Sequence, residues 1–502
     1  MAPVRRTPTP GRIALFPGAF RPPHAAHLAG IVSLAARADV GETVVVVSNV
    51  LRPLPDGRVL PAHVVRRIWS LYLRGMSRVR VVVASHSAIQ WVEDRLARAS
   101  SGDSFLLCAG ETDLALGDDR FVRSLDAARG RGVAVEIAPL PTGATSIRAA
   151  DLRAALVKRD RAAFVEAVPP GPDGTARARV YDLCQAALVP AEAVIRDKLG
   201  RWLATTGLPA GVFDEVVAPG RYWSFHGRLV DGRPVAMKHA GDGPKEAAEG
   251  EPPFARPRRR LRAERAALAA LERCSHGISV PRVLAFDERT WTLLTTGDPP
   301  AMRSLSRVAR ATGADVEKGL VRALDGLADL HLATERIGAI RGGAERDRSH
   351  WTRVLEWTLS ASGALLPGGD PGWRESLGAA SQQAARRGLV LLDPAPADVG
   401  LDPARDAIHW RRFELAGAFG DPAFDTGMLA GRCCGLLLAS PARVTRCVRA
   451  IDQHLRAGPR DFAQRARSFA ALGLVQASSA RACASGRAVA ARVAARWIAA
   501  TT

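Results

Sequence analysis

Phe16-Pro17-Gly18-Ala19-Phe20-Arg21-Pro22-Pro23-His24-Ala25-Ala26-His27 follows an apolar run, Arg12 to Leu15, and precedes a helical pattern, Leu28 to Ala36. A strand therefore runs into a turn, and two histidines stand at the opening of a helix. A helix start presents free backbone N–H groups and the positive end of its dipole, which favours phosphate. Two imidazoles three residues apart face one side of the helix and can stabilise charge on a phosphate undergoing substitution.

Outward from this stretch, short β-rich runs alternate with helical patterns over residues 12–150. The predicted strands are Arg12–Phe16, Thr43–Ser48, Val79–Ala84, Phe105–Cys108 and Val133–Ile137. Runs such as Val44-Val45-Val46-Val47 are apolar on both faces, as in a parallel sheet covered on both sides by helices. The expected fold is α/β, a doubly wound parallel sheet with ligands outside the carboxyl ends of its strands. His24 and His27 fall at the end of the first strand, where that rule places a site. Pro169-Pro170-Gly171-Pro172-Asp173-Gly174 breaks the pattern, and a helical stretch, Arg177 to Leu203, follows. From about Gly207 strand-like runs (Arg221–Leu229, Pro234–His239, Thr292–Thr295) give way to long Ala/Leu/Arg helical patterns, an α+β order. The expected organisation is a first domain over 1–180, a helical connector over 181–206 and a second domain over 207–502.

The opening stretch resembles the G-x-F-x-P-x-H-x-G-H signature of the HxGH nucleotidyltransferases, the cytidylyltransferase-like superfamily, with Ala26 where that family usually has glycine. Thr142-Gly143-Ala144-Thr145-Ser146-Ile147-Arg148 resembles the S-S-T-x-I-R motif of the same superfamily. Small hydroxyl residues at a helix start satisfy free N–H groups and bond phosphate oxygens, and an arginine beside them clamps a phosphate through two donors. The resemblance implies a Rossmann-like fold and transfer of CMP or AMP from CTP or ATP to a phosphorylated or phosphonylated small metabolite. Pyrophosphate leaves, and Mg²⁺ accompanies the triphosphate. It assigns His24, His27 and Arg148 to catalysis. Gly18, Phe20, Gly110, Asp113, Thr145 and Ser146 go to the nucleotide, Arg52 and Arg67 to the acceptor.

The second half resembles the aminoglycoside phosphotransferase and choline kinase superfamily, which has a two-lobed protein-kinase fold. Val235-Ala236-Met237-Lys238 matches the strand with the phosphate-binding lysine. Only five of the 70 cationic residues are lysines, so one at this place carries information. Glu264 is the expected partner of Lys238. Gly420-Asp421-Pro422-Ala423-Phe424-Asp425 matches the family's G-D-P-A-x-D element. The catalytic loop departs from H-G-D-x-x-x-x-N and I-D-W. Asp393 stands at the base position, Asp398 replaces the metal-binding asparagine, and His409 replaces the principal metal-binding aspartate. Imidazole is a poor ligand for Mg²⁺, which prefers oxygen. The expectation is a degenerate kinase-like domain. The alternatives are a bifunctional kinase–nucleotidyltransferase, with Asp393, Asp398 and Asp402 assembling an unusual metal site, and a non-catalytic nucleotide-sensing scaffold.

Bulk properties set the remaining bounds. A chain of 502 residues with 47% apolar content suggests two or three domains. No apolar stretch reaches membrane-spanning length, and no apolar core long enough for a signal peptide follows Arg5 and Arg6, so a cytoplasmic location is expected. The scattered cysteines, without a CxxC pair, favour neither a zinc site nor a disulfide framework. The net charge of +20 comes mostly from arginine spread along the chain, so nucleic acid is not an expected partner and the sequence leaves oligomeric state open. The one dense run, Arg256-Pro257-Arg258-Arg259-Arg260-Leu261-Arg262, reads as a solvated loop leading into a helix.

Overall fold

The apolar run after Arg12 forms β1 (Arg12–Gly18), the middle strand of a five-stranded parallel sheet. In chain order the first part of the molecule continues with α1 (Ala25–Ala36), β2 (Val40–Val47), β3 (Arg58–Val59), α2 (Ala62–Tyr72), β4 (Val79–Val83) and α3 (Ala88–Ala97). Then come β5 (Ser104–Gly110), α4 (Val122–Arg129), β6 (Ala134–Leu140), α5 (Ala149–Lys158), α6 (Arg161–Ala167), α7 (Ala176–Ala187), β7 (Val189–Pro190) and α8 (Ala191–Thr205). The sheet order is β4-β2-β1-β5-β6, so the order reverses between β1 and β5. Each strand sends alternate side chains to opposite faces. Ala14, Phe16, Val45, Val47, Leu106 and Cys108 enter one core with α1, α2, α5, α6 and α7; Leu15, Val44, Val46, Phe105 and Leu107 enter another with α3 and α4. This division explains why the strands read as apolar throughout.

The structure describes residues 11–85, 87–110, 122–140, 149–169, 175–209, 211–217, 223–241, 257–273, 279–298, 302–311, 316–337, 344–363, 371–402, 407–411, 413, 416–481 and 484–501. The chain forms two units, Met1–Thr205 and Thr206–Thr502. The stretch expected as a connector is built into the first unit up to Thr205. β7 pairs antiparallel with β3, and Val180 and Cys184 of α7 share a core with α2.

The second unit begins with β8 (Gly211–Val217), β9 (Trp223–Leu229), β10 (Pro234–His239), α9 (Pro257–Glu272), β11 (Val283–Asp287) and β12 (Thr292–Thr296). These strands form an antiparallel sheet of order β11-β12-β10-β9-β8. There follow β13 (Arg303–Ser304), α10 (Leu305–Arg310), α11 (Val316–Ile337), α12 (Ala344–Gly363), α13 (Pro371–Ala384), β14 (Arg386–Val390), β15 (Val399–Asp402), β16 (Ala407–Trp410) and β17 (Gly417–Gly420). The last helices are α14 (Pro422–Gly435), α15 (Pro441–Arg456), α16 (Arg460–Arg481) and α17 (Ala484–Ala499), packed in one large core. The arginine-rich run is helical from Pro257 rather than a solvated loop. Arg258 and Arg262 lie 5.6 and 5.1 Å from the Trp291 ring centre, Arg265 lies 4.7 Å from that of Phe286, and Arg260 is buried. Guanidinium stacking on aromatic faces keeps charge against an apolar surface. Among the described residues, no helix is long and apolar enough to cross a membrane.

Candidate functional site

In the first unit, β1 ends at Gly18 and the chain turns sharply into α1. Phe20 takes a left-handed φ of 50°, and its ring lies beneath the turn, 4% exposed. It meets Phe16, His27 and Trp69 at centroid distances of 5.1, 4.9 and 5.3 Å. A Cβ on Gly18 would come within 2.5 Å of that ring, so glycine there makes room for Phe20. The Phe20 side chain is thus a support for His27.

His24 and His27 stack, with ring centres 3.6 Å apart and planes inclined by 26°. The His24 backbone N–H donates to His27 Nδ1 at 3.3 Å. A neutral imidazole that accepts at Nδ1 carries its proton on Nε2, which makes His27 a donor at its other nitrogen. Burial and the neighbouring His24 lower the His27 pKa to about 3, and burial lowers that of His24. Both shifts favour the neutral form of the two rings near pH 7. Arg21, buried behind the turn, donates from Nη2 to the Ser48 carbonyl at 2.7 Å. Ser48 N–H in turn donates to the Gly18 carbonyl at 2.8 Å, so the loop after β2 is tied to the end of β1.

Arg52 is exposed on that loop, and Arg67 is exposed on α2. Arg153 of α5 was not anticipated from the sequence. Burial lowers its pKa, and the like charge of Arg52 lowers it further, so these two cations lie within electrostatic reach of one another. Gly110 ends β5 opposite Leu140. Asp113, Thr145, Ser146 and Arg148 lie outside the described residues.

In the second unit, Lys238 projects from β10 and Glu264 from α9. Lys238 Nζ lies 2.7 and 2.8 Å from the two Glu264 carboxylate oxygens. Glu264 is 2% exposed and Lys238 18%. The loop Leu391–Asp393 hangs on a buried carboxylate: Asp425 accepts from the N–H groups of Leu391 and Leu392 at 2.6 and 2.9 Å, with His331 Nε2 at 3.0 Å. Leu392 takes a φ of 65°, which the two bonds hold in place. Asp421, also buried, caps α14 through the Ala423 N–H and binds Ser381 and Arg465. The Gly420–Asp425 element is thus the anchor of the loop.

Asp393 itself is committed. Arg432 of α14 lies 2.7 Å from its Oδ1, donates to the Pro394 carbonyl at 2.9 Å and reaches Gln476 at 3.3 Å. Nothing in the sequence spacing signals this pairing. A cleft of about 390 Å³ opens beside it, lined by Ser306, Arg310, Ala395, Ala397, Arg432 and Gln476 among others. Asp398 is buried in a short helical turn, Pro396–Asp398, and His409 is buried on β16. The alternative metal site of Asp393, Asp398 and Asp402 is not formed. Among the described residues, no three His, Cys, Asp or Glu side chains are grouped to hold a metal.

No protein-family model matches the chain, and no curated protein matches it. Solved structures similar to it include a macrolide 2'-phosphotransferase from Brachybacterium faecium, 18% identical, covering 59% of this chain and 96% of that one at a TM-score of 0.32. An aminoglycoside phosphotransferase from Streptomyces rimosus, in complex with ADP and streptomycin, is 18% identical and covers 56% and 98% at a TM-score of 0.34. An amicoumacin kinase, in complex with AMP-PNP, Ca²⁺ and Ami, is 14% identical and covers 62% and 94% at a TM-score of 0.33.

Proposed function

We propose that the chain is a transferase whose first unit moves a CMP or AMP group from CTP or ATP to a phosphorylated or phosphonylated small metabolite. The observation that carries this reading is the stacked His24–His27 pair at the start of α1, beside the point where the parallel strand order reverses. An acceptor phosphate oxygen attacks the α-phosphorus. A new P–O bond forms, the bond to the bridging oxygen breaks, and pyrophosphate leaves with that electron pair. Negative charge grows on the α-phosphate and the leaving group, so fixed donors stabilise the transition state without a protein nucleophile. His27 Nε2–H and the N–H groups of α1 supply them at the α-phosphate, Thr145, Ser146 and Arg148 hold the β- and γ-phosphates, and Arg52 with Arg153 attracts the acceptor. Magnesium neutralises triphosphate charge when bound, with ligands drawn mainly from the phosphates themselves.

The test is pyrophosphate release from CTP, ATP, GTP and UTP against a panel of phosphometabolites. Acceptor-dependent release with CTP or ATP is expected, falling at least about 100-fold in His27→Ala, the scale of losing one oriented donor. Near-normal turnover in that variant, or no release with any pair, removes the reading.

A second reading, a small-molecule kinase in the same chain, is favoured by the formed Lys238–Glu264 pair. It requires Asp393 to accept a hydroxyl proton, and the Arg432 ion pair opposes that by occupying one of its oxygens. We therefore take the second unit as a kinase-like nucleotide-binding unit without phosphoryl transfer. Radiolabelled ATP offered with a panel of alcohols is expected to yield no labelled product. Transfer that disappears in Asp393→Ala would establish the bifunctional reading instead.

A further inference from the structure

The kinase resemblance implies a divalent cation between the second unit and the phosphates of a nucleotide, and the residues present do not fit one. Mg²⁺ takes oxygen ligands in near-octahedral array. At the place of the principal carboxylate stands His409, 3% exposed. Its Nδ1 is 2.8 Å from Ser279 Oγ, and its Nε2 is buried without a hydrogen-bond partner, 3.7 Å from Asp298 Oδ1. Two residues on, Arg411 Nε lies 3.1 Å from Asp298 Oδ2. The Arg411 guanidinium thus pairs with the Asp298 carboxylate that lies beside His409. Burial lowers the His409 pKa, with Asp298 opposing and Arg411 adding to the effect, so the ring is neutral near pH 7.

These substitutions act together on the charge a nucleotide meets. Where a carboxylate occupies this position, the bare phosphates face like charge and a divalent cation must stand between them. A neutral imidazole removes the repulsion at that position. Arg411, held by Asp298, and Lys238, held by Glu264, are the oriented cations that the unit offers to a phosphate.

We propose that the second unit binds a nucleoside diphosphate or triphosphate without a divalent cation, with the Lys238 ammonium and the Arg411 guanidinium as the fixed positive charges and His409 as the neutral replacement of a metal ligand. This rests on the nucleotide-binding reading of that unit. Its consequence is that the two units answer differently to metal depletion: transfer in the first slows as magnesium is withdrawn, while occupancy of the second persists.

The experiment is hydrogen exchange measured by mass spectrometry on the full chain, titrated with ADP in excess EDTA and in Mg²⁺. Segments 234–239 and 407–411 report the second unit alone. Protection with midpoints equal within about twofold in the two buffers is expected. Protection that needs Mg²⁺, with a midpoint weaker by about tenfold or more in EDTA, overturns metal independence while leaving nucleotide binding in place. No protection in either buffer overturns the nucleotide-binding reading itself. In His409→Asp, checked for folding by its melting curve, ADP binding is expected to become Mg²⁺-dependent by about tenfold. A variant that binds as well in EDTA as in Mg²⁺ would refute the role given to His409.

Discussion

Burial and the His24 ring hold His27 at a pKa of about 3, whereas a histidine in an unfolded chain titrates near pH 6.5. Between those values the unfolded chain binds a proton that the folded chain refuses, so folding stability is unaffected by this group above about pH 6.5 and falls steadily as the pH drops toward 3. His24, shifted the same way, adds to the slope. Urea midpoints at pH 7, 6 and 5 are expected to fall more steeply in the wild type than in His27→Gln, which has no proton to refuse. Parallel lines would show that His27 is not desolvated as described. The same neutrality predicts that kcat/KM follows no imidazole titration between pH 6 and 8. The sequence made His24 and His27 legible as a pair because their spacing sets both on one side of a helix start. Their stacking, their tautomer and the hidden support of Phe20, Arg21 and Trp69 were not legible, because each depends on residues brought together only by the fold.

At the scale of elements, α14 packs backbone to backbone against α16 in the second unit. Gly427, Gly431 and Gly435 recur at four-residue spacing along α14, and a Cβ on them would come within 2.3 Å of the Ala466 carbonyl oxygen, 2.0 Å of that of Ala470 and 2.3 Å of Ala477 Cβ. The backbones touch, and no flexible side chain is there to yield. This contact holds the helix that carries Arg432 at one end and Asp425 at the other. Overpacking in Gly431→Ala costs about 3 kcal/mol against a helix-propensity gain of about 1, a net loss of about 2 kcal/mol. Gly200, exposed on α8 with nothing within 4 Å of its Cβ position, is the opposite case. Gly200→Ala is expected to gain up to about 1 kcal/mol. Denaturant titration of both variants checks the pair of signs; a neutral Gly431→Ala would mean that the two helices do not meet at this distance. The strands of the first sheet were readable because burial on both faces writes an unbroken apolar run. The glycine stripe was not, because its partner surface is alanine in a chain where alanine is everywhere. The arginine run at Pro257 misled for a related reason: its charge suggests water, and only Trp291 and Phe286 show where the guanidinium groups rest.

For the whole molecule, the decisive property is that each unit has its own core and its own cluster of chemistry. Cores on the two faces of the parallel sheet draw only on residues before Thr206, and the large helical core draws only on residues after it. The two candidate sites share no residue. Lesions in the two sites should therefore add, as they do for separated positions without shared partners. His27→Ala is expected to abolish most pyrophosphate release while ADP protection of residues 234–239 stays within about twofold of the wild type. Lys238→Met is expected to do the reverse, and the double variant to combine both losses with no further change. The measurement needs no assumption about which acceptor is natural, because exchange protection reads the second site directly. A loss of pyrophosphate release in Lys238→Met, with the melting curve unchanged, would mean that nucleotide in the second unit controls the first, and the two halves would then be one regulated enzyme.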